Sequence, residues 1–457
     1  MALNTCWNKP AARYGFAITA GVLYAAAYPP IGIGLLVFPA LLGLLWALRG
    51  LVGTQARAVG FLFGMAAFGT SLSWLYHLFG WFCVVLWMVL AFFPAMFAEM
   101  QWRAVNRGLA GWRLAIFTAV NWSAWEFIRA EVFPLKFPWM TVGLAIGPHP
   151  LLPWIGVYGV GLVAVLFASC LVMQRRPWAT GALWVIFFVA ANLLQNHQRG
   201  GEGATAKPDA IRIAAVQLET VTIDEFIRAT NELPDDVDWV VWPEYALPYD
   251  VRRVARDWDR LNTLVTERDI ILTFGTRVDE ADGWRNIALT LGPKGVLGEH
   301  TKVQTVHLFD DGIAGKEAAA FETPFGMVGT PICFDCDYEG VVRRMTRAGA
   351  HFIVSPVMDA AQWSARQHNQ HAELFRIRAC ENRRWVFVSA SSGISQVIDP
   401  HGRIHGRLDA MEQGTISGII LPESRLTFYT RHGWLIPRAV LVLGVIAWVI
   451  LLRKWII

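Results

Sequence analysis

Charge is scarce in this chain. Aspartate, glutamate, lysine and arginine make up 17% of its 457 residues, against about 25% in a typical soluble domain, and the formal net charge is +4. So small a balance for this length gives no reason to expect a polyanionic partner, and nucleic acid is not expected. Cysteine is sparse as well. Of six in the chain, the polar part holds Cys333, Cys336 and Cys380, with no second close pair of Cys. That is too few thiolates for a cysteine-based zinc site, and neither a metal nor a cofactor is expected. No internal repeat or low-complexity tract stands out. The apolar segments also lack the paired, glycine-broken, charge-bearing helices of a transporter. The first apolar run has no small-residue cleavage site and leads straight into more apolar sequence, so no removable signal peptide is expected.

Apolar sequence is what the chain has in excess: 54% of its residues are hydrophobic, and 22 are Trp. Stretches long enough to cross a bilayer as helices run at 13–28, 31–48, 57–77, 81–102, 112–130, 154–173, 177–194 and 435–452, which predicts a bundle of about eight spans. If these alternate, Lys9, Arg13, Arg49, Arg57, Arg103, Arg107, Arg113, Arg175, Arg176, Arg453 and Lys454 all fall on one side. By the positive-inside rule that side is cytoplasmic, and the polar segment 195–434 lies outside. Glu126 and Arg129, three apart near the outer end of the fifth span, form either a mutual salt bridge or a lipid head-group contact.

The organisation expected is a helical bundle over 1–195, a linker over 196–210, an α/β domain over 211–422 and a last span within 423–457. In the α/β part the runs "IRIAAVQL", "WVVWP", "IILTFGT", "GMVGTPIC", "HFIVSPV" and "WVFVSAS" are continuously apolar, as in strands buried on both faces. Helical stretches near 223–233, 250–266, 338–349 and 363–381 separate them. Sheets inside and helices outside are predicted.

Three residue types at strand ends could carry chemistry. Cys333, in "PICFDCDYEG", follows an apolar run and precedes a helix, where partial positive charge would favour a thiolate. Spacing alone leaves Cys333 and Cys336 open as a redox pair, a metal half-site, or a nucleophile beside a bystander. Glu244 ends "VVWPE", and Lys302 follows the strand 296–301 in "GEHTKVQTVHLF". Each alone reads equally well as an ordinary solvated or structural residue.

Glu, Lys and Cys in that order resemble the catalytic set of the nitrilase, or carbon-nitrogen hydrolase, superfamily, in the blocks "VVWPEYALP", "TKVQTVHLF" and "GTPICFDCDYEG". A bundle of spans before such a domain and one span after it is similar to the apolipoprotein N-acyltransferase family. "AFFPAMFAEMQWR", "WSAWEFIRAEVFPLKFPWMTVG", "SSGISQVIDPHGRIHGRL" and "LTFYTRHG" also resemble that family.

The resemblance implies an αββα sandwich on the outer, periplasmic face of the inner membrane, with both termini cytoplasmic. It implies Glu244 as base, Lys302 as oxyanion-stabilising cation and Cys333 as nucleophile, with Cys336 a bystander. Asp310, eight residues after Lys302, and Asp335 fall where the family has Glu, and Phe334 where it has Tyr; these three are the expected supporting residues. The implied partners are a phospholipid acyl donor, a diacylglyceryl lipoprotein acceptor and the membrane itself. The same three catalytic residues would equally serve a membrane-tethered amidase, or an acyltransferase with another amine acceptor. The segment between Lys302 and Cys333 is short for the family, and "SPVMDAAQW" lacks the usual Asn; both bear on the acceptor. A third possibility is a transporter or sensor whose outer domain only binds ligands.

Overall fold

The structure, a computed structural model, describes residues 10–173, 210–220 and 222–453. It divides into two compact units, residues 1–201 together with 433–457, and residues 202–432.

The first unit is helical. Three helices among the described residues are long and apolar enough to cross a membrane: Leu75–Asn106, Leu152–Met173 and Leu435–Leu452. The expected count of about eight is therefore met only in part. Pro10–Ala26 and Val37–Ala47 run 17 and 11 residues, short of the roughly 20 that a 30 Å hydrocarbon core requires, and Gly111–Phe127, which continues as a π-helical turn to Val132, is diluted by Arg113, Asn121, Glu126 and Arg129. Gly53–Ser71 has 19 residues, but Thr54, Gln55 and Arg57 dilute its apolar character. The expected span at 177–194 lies outside the described residues.

Small residues set the helix spacing. A Cβ on Gly60 would stand 2.3 Å from the Pro94 carbonyl oxygen, and one on Gly64 would stand 2.7 Å from Ala91 Cα. These two glycines, one turn apart, let Gly53–Ser71 lie directly against Cys83–Asn106, the close approach that drives helix association where water does not. Basic side chains gather at one end of the unit. Arg13 donates to the Arg49 carbonyl, Arg49 to Val172 O at 2.6 Å, and Arg107 to Arg453 O at 2.8 Å. Arg57 and Arg103 share Glu99, at 2.9 and 2.7 Å.

Glu126 and Arg129 do something neither expectation named: both bind backbone. The chain from Phe137 to Thr141 is irregular between two helices, and irregular backbone at such a place needs partners inside the protein. Arg129 donates to the carbonyls of Phe137, Trp139 and Met140 at 2.8, 2.7 and 3.2 Å. Glu126 accepts the Val142 N–H at 2.9 Å. Tyr24 and Tyr28 donate to Met140 O and Thr141 O, both at 2.9 Å.

The second unit has two six-stranded sheets. The first contains β1 (Ile211–Gln217), β2 (Trp239–Val241), β3 (Ile271–Glu280), β4 (Gly283–Gly292) and β5 (Gly295–Thr301). The second contains β6 (Phe321–Thr323), β7 (Gly326–Gly329), β8 (Phe352–Val357), β9 (Val386–Ala390), β10 (Ser395–Ile398) and β11 (Ile404–Leu408). β12 (Gly414–Ile420) returns to pair antiparallel with β1, so the orders are β12-β1-β2-β3-β4-β5 and β11-β10-β9-β8-β7-β6.

In each sheet the central three strands are parallel and the flanking ones antiparallel. Ile213, Trp239 and Val241 from the first sheet meet Phe352, Val354 and Phe387 from the second in a shared core. The outer faces are covered by Ile223–Asn231 and Ala255–Glu267 on one side, and by Glu339–Arg347 and Ala365–Asn382 on the other. This is the four-layer αββα arrangement that the continuous apolar runs predict, since the central strands are buried on both faces.

Arg129→Ala removes the arginine donor from the carbonyls of Phe137 and Trp139, while Met140 O keeps Tyr24. Each acceptor left unpaired costs about 1–3 kcal/mol, so thermal unfolding in detergent should show a clearly lowered Tm. Arg129→Lys, with a compact ammonium instead of a planar fork, should recover only part of it. An unchanged Tm in Arg129→Ala would mean that the irregular segment does not depend on this side chain.

Candidate active site

The ends of four strands converge. β2 runs into Trp242-Pro243-Glu244, β5 into Lys302, β7 into the turn Cys333–Cys336, and β8 into Met358-Asp359. Glu244, Lys302 and Cys333 line one pocket of about 100 Å³, with Tyr245, Val306, Phe309, Asp310, Asp311, Met358 and Trp363.

Lys302 Nζ lies 2.7 Å from Glu244 Oε1 and 2.7 Å from Asp311 Oδ2. Asn286, on β4 between β3 and β5, donates to Glu244 at 2.6 Å and to Asp311 at 3.1 Å. The Met358 N–H holds the other Glu244 oxygen at 2.9 Å. Tyr245 and the Val306 N–H complete the ring around Asp311, at 2.5 and 2.8 Å. β3 can approach this turn because residue 275 is glycine: a Cβ there would stand 2.4 Å from Glu244 Cα.

Burial and charge assign the protons. Burial opposes the Lys302 ammonium, but Glu244, Cys333 and Asp311 outweigh it and hold the lysine above its ordinary range. Burial would also raise Asp311, yet Lys302 and the Tyr245 hydroxyl pull it below the usual carboxylate range. Glu244 is raised, by burial first and by the neighbouring Asp311, against the pull of Lys302. The Cys333 thiol is pushed well up by burial and by Glu244, with Lys302 opposing. Burial thus works against the thiolate that a following helix would favour, and a carboxylate able to exchange a proton stands in the same pocket.

The comparisons with known proteins bear on both units. Residues 20–170 match the apolipoprotein N-acyltransferase N-terminal domain, and residues 212–425 match carbon-nitrogen hydrolase. The chain belongs to the apolipoprotein N-acyltransferase family. The apolipoprotein N-acyltransferase of Geobacter metallireducens is 26% identical, covering 93% of this chain and 92% of its own. That of Nitrosomonas europaea is 27% identical over 86% of this chain and 88% of its own. That of Pseudomonas aeruginosa is 26% identical over 96% and 95%. Among solved structures, Saccharomyces cerevisiae Nit3, of the nitrilase superfamily, covers 50% of this chain and 97% of its own, at 22% identity and TM-score 0.41. An amidase from Nesterenkonia sp. covers 50% and 95%, at 19% identity and TM-score 0.42.

The residues that the family resemblance singled out are distributed as follows. Glu244, Lys302 and Cys333 share the pocket. Asp335 is fully buried outside it. One of its oxygens accepts the N–H groups of Val303 and Gln304 at 2.9 and 2.7 Å, and the other accepts the Ile332 N–H at 3.1 Å and meets His300 Nε2 at 2.9 Å. It ties the lysine segment to the cysteine turn. Phe334 is half-buried and packs edge-on against Tyr338.

Asp310 lines the pocket wall but is exposed, and the carboxylate on Lys302 is that of its neighbour Asp311. The eight-residue spacing could not choose between adjacent aspartates in an irregular loop. Asn286, Tyr245 and the Met358 N–H were not foreseen either; the Asn286 side chain is placed by strand pairing that no local pattern announces. Cys336 is free and buried, its sulfur 3.8 Å from the Ser355 hydroxyl in the core.

Cys333, Asp359 and His371 each bring one possible ligand atom within 4.8 Å of the others, the one such group of three among the described residues. His371 Nδ1 stands 2.9 Å from Asp359, and Nε2 stands 3.1 Å from Asp337. Burial opposes its charge, but Asp359 and Asp337 raise its pKa to about 10. A ring protonated on both nitrogens has no lone pair for a metal.

That raised pKa has a stability signature. A histidine near 6.5 when unfolded and near 10 when folded contributes its full stabilisation below about pH 6.5 and loses it as pH rises through about 10. Asp337, Asp359 and Cys333 face the ring from the other elements, and His368 and Gln367 lie on its own helix. Tm measured between pH 6.5 and 10.5 should fall more steeply for the native chain than for His371→Gln. Parallel curves would show that the imidazolium is not the titrating group.

Proposed function

We propose that this chain transfers an acyl group from a phospholipid, through a thioester on Cys333, to the α-amino group of an N-terminal diacylglyceryl-cysteine on a lipoprotein. The observation that carries the reading is the convergence of Glu244, Lys302 and Cys333 on one pocket, in a chain whose two halves match both parts of the apolipoprotein N-acyltransferase family.

In the first half-reaction Glu244 takes the Cys333 proton as sulfur attacks the ester carbonyl, and the Lys302 ammonium stabilises the resulting oxyanion. Collapse breaks the bond to the glycerol oxygen, and Glu244 returns the proton to that leaving group, releasing a lysophospholipid. In the second, the acceptor amine attacks the thioester carbonyl and Glu244 removes its proton. The C–S bond then breaks, and the thiol is restored as the amide leaves. Amide formation from a thioester is downhill, so no nucleotide is consumed. Asp311 stays ionised throughout, balancing Lys302.

The basic end of the helical unit supports a cytoplasmic location for that end, with both termini inside, residues 200–430 on the periplasmic face of the inner membrane and about eight spans in all. Digestion of that region from the cytoplasmic side alone would overturn the topology.

Purified protein given labelled phospholipid and no amine should gain one acyl mass on Cys333, cleaved by hydroxylamine. Glu244→Ala, Lys302→Ala and Cys333→Ser should fail to release lysophospholipid to completion with an amine acceptor, whereas Cys336→Ser should turn over nearly normally. Fast hydrolysis of the adduct without amine would favour the amidase reading. Loss of activity in Cys336→Ser would end the single-nucleophile mechanism.

A further inference from the structure

The two segments that carry the reacting sulfur and the base's anchor are not joined by sheet hydrogen bonds where it matters. β7 and β8 pair at Val328↔Phe352 and Gly329↔Ile353, and their pairing ends there. Cys333 lies four residues past the last paired position of β7 and Met358 five past that of β8, and both belong to the pocket. Side chains bridge the gap. One bridge is short: Ser355 donates to the Pro331 carbonyl at 2.7 Å. The other is His371, on Ala365–Asn382, whose ring stands between Asp359 and Asp337, with all three side chains no more than 3% exposed.

Each end of that bridge reaches a reacting group. Asp359 follows Met358, whose N–H holds Glu244 at 2.9 Å and whose carbonyl lies 3.9 Å from Cys333 Sγ. Asp359 has little freedom: Gln367 donates to it at 2.9 Å, and a Cβ on Gly393 would stand 2.5 Å from its Oδ2. Asp337 caps the turn Cys333–Cys336 at its far end, and that turn begins with Cys333 itself at φ +45°. A non-glycine residue in that region is strained and persists only where its surroundings fix it.

We propose that His371 is a positioning residue of the acyl-transfer site, bridging Asp337 and Asp359 so that the cysteine turn and the backbone anchor of Glu244 are held in one geometry. The proposal rests on the reading of Cys333 as nucleophile and Glu244 as base. The imidazolium also neutralises two carboxylates that would otherwise add to the unfavourable field at the sulfur, since Asp359 and Asp337 both push the Cys333 thiol up. Asp359, Asp337 and Cys333 face the ring from neighbouring elements, and His368 and Gln367 lie on its own helix.

The test uses the full chain in detergent with His371→Gln, which keeps hydrogen bonding but not charge, and Asp337→Asn, a near-isosteric change at the other end. Three quantities are read: Tm, the kcat and KM of lysophospholipid release, and the pH dependence of iodoacetamide alkylation at Cys333 followed by mass. A displacement of about 1 Å between reacting groups costs on the order of 10²-fold. Folded His371→Gln should therefore lose about 10²-fold in kcat with KM for phospholipid nearly unchanged, and its alkylation midpoint should move to higher pH. Asp337→Asn should lose kcat in the same direction and carries the test if His371→Gln does not fold.

A folded variant with native kcat and a native alkylation profile overturns the proposal. So does a variant that loses only Tm and keeps its kcat at low temperature. The alkylation arm does not depend on acyl chemistry. An acyl adduct still formed in Cys333→Ala would therefore sink the thioester reading, and a native alkylation curve would sink this one.

Discussion

A buried ammonium organises the catalytic unit. Lys302 is 2% exposed, and an uncompensated charge at such a place would cost several kcal/mol or neutralise itself. It does neither, because two carboxylates stand 2.7 Å away. Their unequal surroundings then divide the labour. Asn286 reaches both, and Glu244 adds the Met358 N–H whereas Asp311 adds both Tyr245 and the Val306 N–H, so the Asp311 charge is the better satisfied. Glu244, with Asp311 nearby and burial against it, is the carboxylate that gives up its charge more easily. A cation flanked by one fixed anion and one adjustable anion suits a site in which a proton must move twice in opposite directions.

Holding that arrangement takes strain and rigid support. Tyr245 and Cys333, each beside or at a residue of the proposed catalytic set, have positive φ of 54° and 45°, at a cost of about 1–3 kcal/mol apiece. Gly275 lets β3 reach the Glu244 turn and bond it on both sides, through Gly275 N–H to Pro243 O and Leu247 N–H to Gly275 O. Asp335, which accepts three backbone N–H groups, fixes the cysteine turn against the lysine segment. The helical unit solves a similar problem similarly. Where backbone from Phe137 to Thr141 leaves the helical ladder, Arg129, Glu126 and two tyrosines supply what the ladder no longer does.

Much of this was legible in the sequence because it depends on periodicity and on strand ends. Continuous apolar runs such as "HFIVSPV" announce strands covered on both faces; Glu244 and Cys333 sit where such runs stop, and Lys302 follows the end of the more polar strand β5. What depends on the path of irregular chain was not. Asp310 and Asp311 are neighbours, and only the course of the loop after Val306 decides which carboxylate meets the ammonium. Asn286 and His371 lie 42 residues from Glu244 and 12 from Asp359 and reach their partners through sheet pairing and helix packing. Hydropathy marked apolar segments without fixing helix character: three of the expected spans are long apolar helices, whereas others are short or carry polar residues such as Thr54, Gln55 and Arg57.

The raised thiol bears on how such a site could store an acyl group. A thiolate at rest would be open to any electrophile reaching the pocket, whereas a thiol held neutral by burial is unreactive until its proton can leave. In the proposed mechanism Glu244 takes that proton, the negative charge passes through sulfur to the ester oxygen, and Lys302 stabilises it there. Proton removal and carbonyl attack are thus most favourable together, with an ester in place. In the proposed thioester the sulfur would not ionise, and its contribution to the Lys302 field would disappear. Glu244 and Asp311 remain as the counter-charges of the ammonium, and an incoming neutral amine meets a carboxylate already placed to receive its proton.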